Sequence, residues 1–191
     1  DDINGRIWVD SLKMNAPDDN GYFMEYFSLV ANQNENERML QIDAPFMNMH
    51  VRGDYSYQTI PASILRMLQQ NLPSLLELKD FSGKENHFQF DLHVKDTELL
   101  EKMFYIPIEL HMPASLCGYI NDSDESLHVE GYFPKLAYNG KLYESGALLC
   151  ENLSNSLNCL FHGSMLMESG AMVNFSVDSK AENDRIKTIL N

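Results

Sequence analysis

Six histidines, three cysteines and two acidic or amide-rich turns are the residues of this chain that could do chemistry. Metal binding by histidine needs the imidazoles to converge. His87 and His93 share one face of a strand but are separated by about 20 Å of extended chain, so they cannot share an ion. His50, His111, His128 and His162 fall singly at polar strand positions. Cys117, Cys150 and Cys159 form no CxxC pair, and three cannot all pair with one another, which excludes a disulfide scaffold and a structural zinc site. They read as buried thiols, with a Cys150–Cys159 bridge across a hairpin open to the chain in an oxidising compartment. The turn starting at Asp122 supplies Asp124 and Ser126 at calcium-loop spacing, but Leu127 stands where that loop needs glycine and Phe133 where it needs glutamate. Asn32, Asn34 and Asn36 fail in the same way, with Glu37 at the glycine position. Arg52-Gly53-Asp54 spells an adhesion tripeptide inside an alternating strand, where it reads as coincidence. Asn121, Asn152 and Asn174 head glycosylation-type triplets, which matter only in a eukaryotic secretory setting. GxSxG, HExxH, Walker-type and GxGxxG motifs are all missing. The expectation is a protein that is not an enzyme, with no catalytic residues, no metal and no cofactor.

The elements that must position any site come from a chain of 191 residues, 44% hydrophobic and 22% charged, a composition that folds around its own core. Lys and Arg number 14 against 28 Asp and Glu, for a formal charge of −14. A phosphate-neutralising surface is hard to build from that balance, so nucleic acid is excluded as a partner. No apolar run approaches the roughly 20 residues that span a bilayer. The chain opens on Asp1-Asp2-Ile3 and closes on strand-like sequence, and it reads as one β-rich domain over 1–191, excised from a larger protein. A weak internal repeat divides it at about 1–80 and 81–191.

Period-two alternation dominates, the mark of strands with one apolar and one wet face. Phe88, Phe90, Leu92 and Val94 form the clearest stripe, opposed by His87, Gln89, Asp91 and His93. Ile106, Ile108, Leu110 and Met112 repeat it, with Pro107 marking an edge or bulge. Leu127, Val129 and Phe133, then Ala171, Val173, Phe175 and Val177, continue it. Turn residues at Asn15 to Gly21, Asn32 to Glu37, Asn121 to Ser126, Asn139-Gly140 and Ser169-Gly170 divide the strands into antiparallel hairpins. Asn139-Gly140 suits a type I′ turn, which needs positive φ at both central residues. The apolar parity switch across Ala44-Pro45 predicts a bulge.

Two stretches read as short amphipathic helices. Thr59 and Pro61 start the first, which carries Ile64, Leu65, Leu68 and Leu72 and stops at Pro73. Asp96 caps the second, with Leu99, Leu100, Met103 and Phe104 on one side. Glycines inside alternating strands, at Gly53, Gly118, Gly131 and Gly163, predict a sheet that bends repeatedly in one sense. The fold expected is therefore mainly β: a curved antiparallel sheet, an open trough or taco-like β-groove, with the two helices as lids.

Three stretches carry a family resemblance: Arg38 to Leu76, where a glycine-aromatic strand leads to a short helix closing on Leu-Pro; Asn86 to Tyr143, where FQFDLHV runs into a helix, then Ile-Pro-Ile and glycine-aromatic strands; and the closing FSVDSKAENDRIKTILN. Together they resemble the periplasmic β-repeat region of the translocation and assembly module inner-membrane (TamB) family, within the AsmA-like superfamily. The resemblance implies a periplasmic segment of a Gram-negative envelope protein anchored in the inner membrane. It also implies an outer-membrane barrel partner met through regions outside this chain, a role in outer-membrane protein assembly, and phospholipid transport between membranes. Acyl chains in water cost about 0.8 kcal/mol per exposed CH₂, so such transport needs continuous apolar surface. The residues expected to line it are Phe88, Phe90, Leu92, Val94, Ile106, Ile108, Leu110, Val129, Phe133, Val173 and Phe175; the alternative is that they form the core beneath the helices. A self-contained β-sandwich that binds glycan or protein at a cell surface through Trp8, Tyr22 or Tyr138 is the second reading. A lipocalin-like barrel or an unrecognised enzyme would each require a closed pocket.

Overall fold

The computed structural model describes residues 4–14, 22–34, 37–74, 83–98, 101, 107–153 and 156–191. Among these residues, fourteen strands and one helix follow in chain order. The first half holds β1 (Gly5–Val9), β2 (Leu12–Met14), β3 (Tyr22–Met24), β4 (Phe27–Gln33), β5 (Arg38–Asp43), β6 (Met47–Asp54), the helix α1 (Ile60–Asn71) and β7 (His87–Val94). The second half holds β8 (Ile108–Leu110), β9 (Ala114–Asn121), β10 (Ser126–Tyr138), β11 (Lys141–Leu153), β12 (Ser156–Leu166), β13 (Met172–Glu182) and β14 (Arg185–Leu190). Twelve strands make one antiparallel sheet in the order β1-β4-β5-β6-β7-β9-β10-β11-β12-β13-β14, with β8 pairing β10 off that path; β2 and β3 form a separate hairpin.

The order is almost sequential because short turns join most neighbours. At Asn139 and Gly140 φ is +49° and +75°, the left-handed pair that a type I′ turn requires. Ala44 and Met47 exchange backbone hydrogen bonds, so the parity switch at Ala44-Pro45 is a tight turn between β5 and β6, not a bulge within one strand. The expected turn at Asn15 to Gly21 lies outside the described residues. A bulge does occur in β11, where the register with β12 shifts between Glu144 and Ala147 and Ser145 takes a φ of +54°.

Two parts of the expected architecture are corrected. The sheet is neither closed nor strongly curled, so it is not a trough. Its strand-interior glycines serve another purpose: a Cβ at Gly118 would fall 2.1 Å from the His128 carbonyl oxygen, and one at Gly53, where φ is +146°, 2.2 Å from that of His87. Close backbone approach, not repeated bending, explains both. The second correction concerns the helices. Asp96 Oδ1 accepts from the Glu98 N–H and the Glu101 N–H donates to the Thr97 carbonyl, as a helix start would. The rest of that stretch, Ile106 included, lies mostly outside the described residues, and α1 is the one helix of seven residues or more among those described. Twelve of the described strands also share one sheet, with only the β2–β3 hairpin apart, rather than dividing between the two large packed sheets of a sandwich.

Helix α1 runs between Thr59 and Pro73 as its punctuation predicts, and of its expected apolar face Leu72 is buried and Leu68 packs against it, but the buried face is rotated away from Ile64. Ile64 is 45% exposed, whereas Ala62, Ser63, Met67 and Asn71 are buried. Met67 packs with Val51, Tyr55, Phe88 and Ile120 on the sheet, and Leu72 packs with Leu157 and Ala181. Ser63 is tolerated on this face because its hydroxyl is bonded. Ser63 Oγ donates to Asp122 Oδ2 at 2.5 Å, the Asn86 backbone N–H donates to the same oxygen at 2.8 Å, and Asn86 Nδ2 donates to Ser63 Oγ at 2.6 Å. Thr59 makes no side-chain cap bond; its hydroxyl pairs with the Asn86 side chain instead. Arg66 adds a guanidinium 3.8 Å from Asp122.

Asp122→Ala would strand the Ser63 and Asn86 donors in the interior. The expected loss is about 2–4 kcal/mol in urea unfolding, against less than about 0.5 kcal/mol for Asp124→Ala on the exposed side of the same turn.

Candidate functional site

Directly opposed residues of an antiparallel pair share a face, so the register shows how the sheet's faces are made. One row crosses the whole sheet: Ile7, Leu29, Ile42, Met49, Leu92, Leu116, Gly131, Leu148, Phe161, Val177 and Leu190. Every member is apolar or glycine. The adjacent row on this face, Ala31, Leu40, Val51, Phe90, Gly118, Val129, Cys150 and Cys159, is apolar as well. Helix α1 covers the end of the face around Val51, Phe88 and Ile120. The long row lies beyond it: its central side chains are half-buried, and its ends stand out, Ile7 at 56% and Leu190 at 75% exposure.

An open depression of about 340 Å³ forms where this face meets the hairpins of β10 to β13. Phe133, Tyr143, Phe161 and Phe175 surround it, with ring centroids 6.4 Å apart for Phe133 and Phe161, 5.8 Å for Phe161 and Phe175, and 6.1 Å for Tyr143 and Phe175. Glycines make the room. A Cβ on Gly131 would fall 2.9 Å from the Phe133 ring and one on Gly146 3.2 Å from the Phe133 Cβ; Gly146 and Gly163 also line the depression. Aromatic rings can then lie close to the backbone and leave apolar space above. Glu144 is the one ionisable carboxylate among the lining residues.

The expected lining residues divide between two environments. Phe88 is 5% exposed in the core beneath α1, and Phe90 packs against that core, so both support the helix. Leu92, Val94 and Val129 are half-buried on the same face. Phe133 and Phe175 border the depression, and Val173, 44% exposed, pairs with Met165 on its outer side. Ile108 and Leu110 pair with Tyr138 and Leu136 of the same depression. Ile106 lies outside the described residues. Leu148, Phe161, Val177 and Tyr143 were not anticipated. Phe161 stands two residues before Gly163 in an alternating run, the signal by which it could have been found.

The opposite face is polar over much of its area. Gln41, His50, Asp91, Cys117 and Glu130 oppose one another across five strands. Cys117 is exposed, not buried, and partial desolvation together with the Glu130 and Asp91 carboxylates pushes its thiol pKa up. Cys150 and Cys159, directly opposed with Cα atoms 4.2 Å apart, form a disulfide. Tyr119 stacks on His128, whose Nδ1 lies 2.7 Å from Glu151 and Nε2 3.0 Å from Glu130. Partial burial lowers the imidazole pKa, but the hydrogen bonds and charges of the two glutamates outweigh it and the net shift is upward. No family model, curated protein or solved structure matches this chain.

A raised folded-state pKa means that His128 contributes stability fully below the ordinary imidazole value of about 6.5 and loses that contribution as pH rises through the folded value. The stability advantage of wild type over His128→Asn should therefore shrink as pH rises above about 6.5 in denaturant melts, and the His128 ring signals should titrate above about 6.5 in NMR.

Proposed function

We propose that this chain is a periplasmic segment of an inner-membrane-anchored envelope protein whose apolar sheet face accepts phospholipid acyl chains and so takes part in lipid transport and outer-membrane biogenesis. The observation that carries the reading is the unbroken apolar row from Ile7 to Leu190, which among the described residues touches the core beneath α1 at Met49 and widens into the depression around Phe161. An acyl chain laid along such a row replaces water against both surfaces, at about 25 cal/mol per Å² of apolar area covered. Its headgroup stays in solvent, so no closed pocket is required. Two further features support the reading. The Cys150–Cys159 bridge suits an oxidising compartment such as the periplasm. The sequence stretches from Arg38 to Leu76 and from Asn86 to Tyr143 resemble TamB-family β-repeats. The surface is a broad open face rather than a trough, so cargo would lie on it and not be enclosed.

The test is the lipid that copurifies with the protein expressed in a Gram-negative periplasm. Organic extraction and mass spectrometry should find phospholipid on wild type and several-fold less on Phe161→Arg with Val177→Arg, both folded by circular dichroism. Equal or absent lipid on the two proteins would reject the proposal.

A further inference from the structure

A second depression, of about 440 Å³, lies at the C-terminal end of α1, where the helix meets three turns of the sheet. Gln70, Asn71 and Pro73 come from the helix end, Glu125 from the β9–β10 turn, Asn152 from the end of β11, and Asn183 and Asp184 from the β13–β14 turn. Every side-chain polar group among them carries an oxygen donor, and none is cationic. Asn71 is 1% exposed, and its Nδ2 donates to the Met67 carbonyl and, at 3.3 Å, to Asn152 Oδ1. Its own Oδ1 is buried with no hydrogen-bond donor. An orphaned buried oxygen is costly, on the order of 1–3 kcal/mol. Asp184 Oδ1 accepts from the Ser74 N–H and hydroxyl at 3.0 and 2.8 Å, which fix the carboxylate at the rim of the depression. No hydrogen bond or ion pair engages the Glu125 carboxylate among the described residues.

We infer that the end of α1, Asn71 and the turns bearing Glu125, Asn152 and Asp184 form a calcium site that fastens the helix to the sheet. The chemistry matches a hard cation: two carboxylates and several amide oxygens, the donor class Ca²⁺ takes at about 2.3–2.6 Å. Those distances are shorter than a water hydrogen bond, so the ion can reach an oxygen too enclosed for water. The negative end of the helix dipole points here, and the last turn of α1 carries no Lys or Arg to offset it. Histidine and thiolate ligands are missing, which disfavours zinc and copper. No three His, Cys, Asp or Glu side chains gather to hold a metal among the described residues, so the amides must complete the shell.

The test is calorimetric titration of chelator-treated full chain with CaCl₂ and with MgCl₂, alongside thermal melts. Wild type should bind one Ca²⁺, prefer it to Mg²⁺ and melt at higher temperature with it; Glu125→Gln should bind at least about tenfold more weakly with an unchanged calcium-free melt. Asp184→Asn is the second variant, and Asp91→Asn on the opposite face should leave binding unchanged. No saturable heat with wild type, or equal weakening by Asp91→Asn, overturns the site.

Discussion

A helix of 12 residues is about 18 Å long, while eleven strands at about 4.8 Å spacing make a face on the order of 50 Å wide. That mismatch governs the molecule. Both principal rows on one side of the sheet are apolar, yet α1 reaches only the end around Val51, Phe88 and Ile120 and, through Leu72, Leu157 and Ala181. What it covers becomes core, Met24 of β3 closes a second core over Ala44, Phe27 and Met47, and the apolar row outside these two among the described residues is the candidate site. The disposition of Phe88 against that of Phe161 follows from this: both are apolar strand residues on one face, and distance from the helix decides which is structural.

The polar residues beneath α1 fix where that boundary falls. Thr59, Ser63, Met67 and Asn71 lie on one line of the helix at intervals of four residues, and three of them are hydrogen-bonding side chains. Asp122 and Asn86 receive the first part of this line and Asn152 the last. An all-apolar helix face could slide or rotate over a greasy sheet. A face whose hydroxyl and amide must meet fixed partners cannot, because a slip would bury them unpaired. The lid is therefore held in one register at both ends.

Much of this organisation was legible in the sequence, and the failures share a cause. Alternation located the strands bearing Phe88–Val94 and Val129–Phe133, Asn139-Gly140 located its hairpin, and Thr59 with Pro61 and Pro73 bounded the helix. Each of those signals is local. The face α1 buries was legible only in part: Leu72 is buried as its spacing suggests, but Ile64 looks like core and Ser63 and Asn71 do not, because their partners at Asp122 and Asn152 are 59 and 81 residues away in sequence. The edge-to-edge row was invisible for the same reason, because it exists only once ten strand registers are set. Gly118 and Gly131 look like bends in the sequence, whereas Gly131 makes room for the Phe133 ring and Gly118 admits a neighbouring carbonyl.

The central claim, that the apolar row from Ile7 to Leu190 contacts hydrocarbon, is tested most directly by site-specific photocrosslinking to radiolabelled phospholipid in the cell. With a photoreactive residue placed singly at Leu92, Leu148 or Val177, lipid adducts should form on the protein. The same residue at Gln89 or His162, on the opposite face, should give none. Adducts at the polar face equal to those on the row, or no adducts at any of the row positions, would contradict the account.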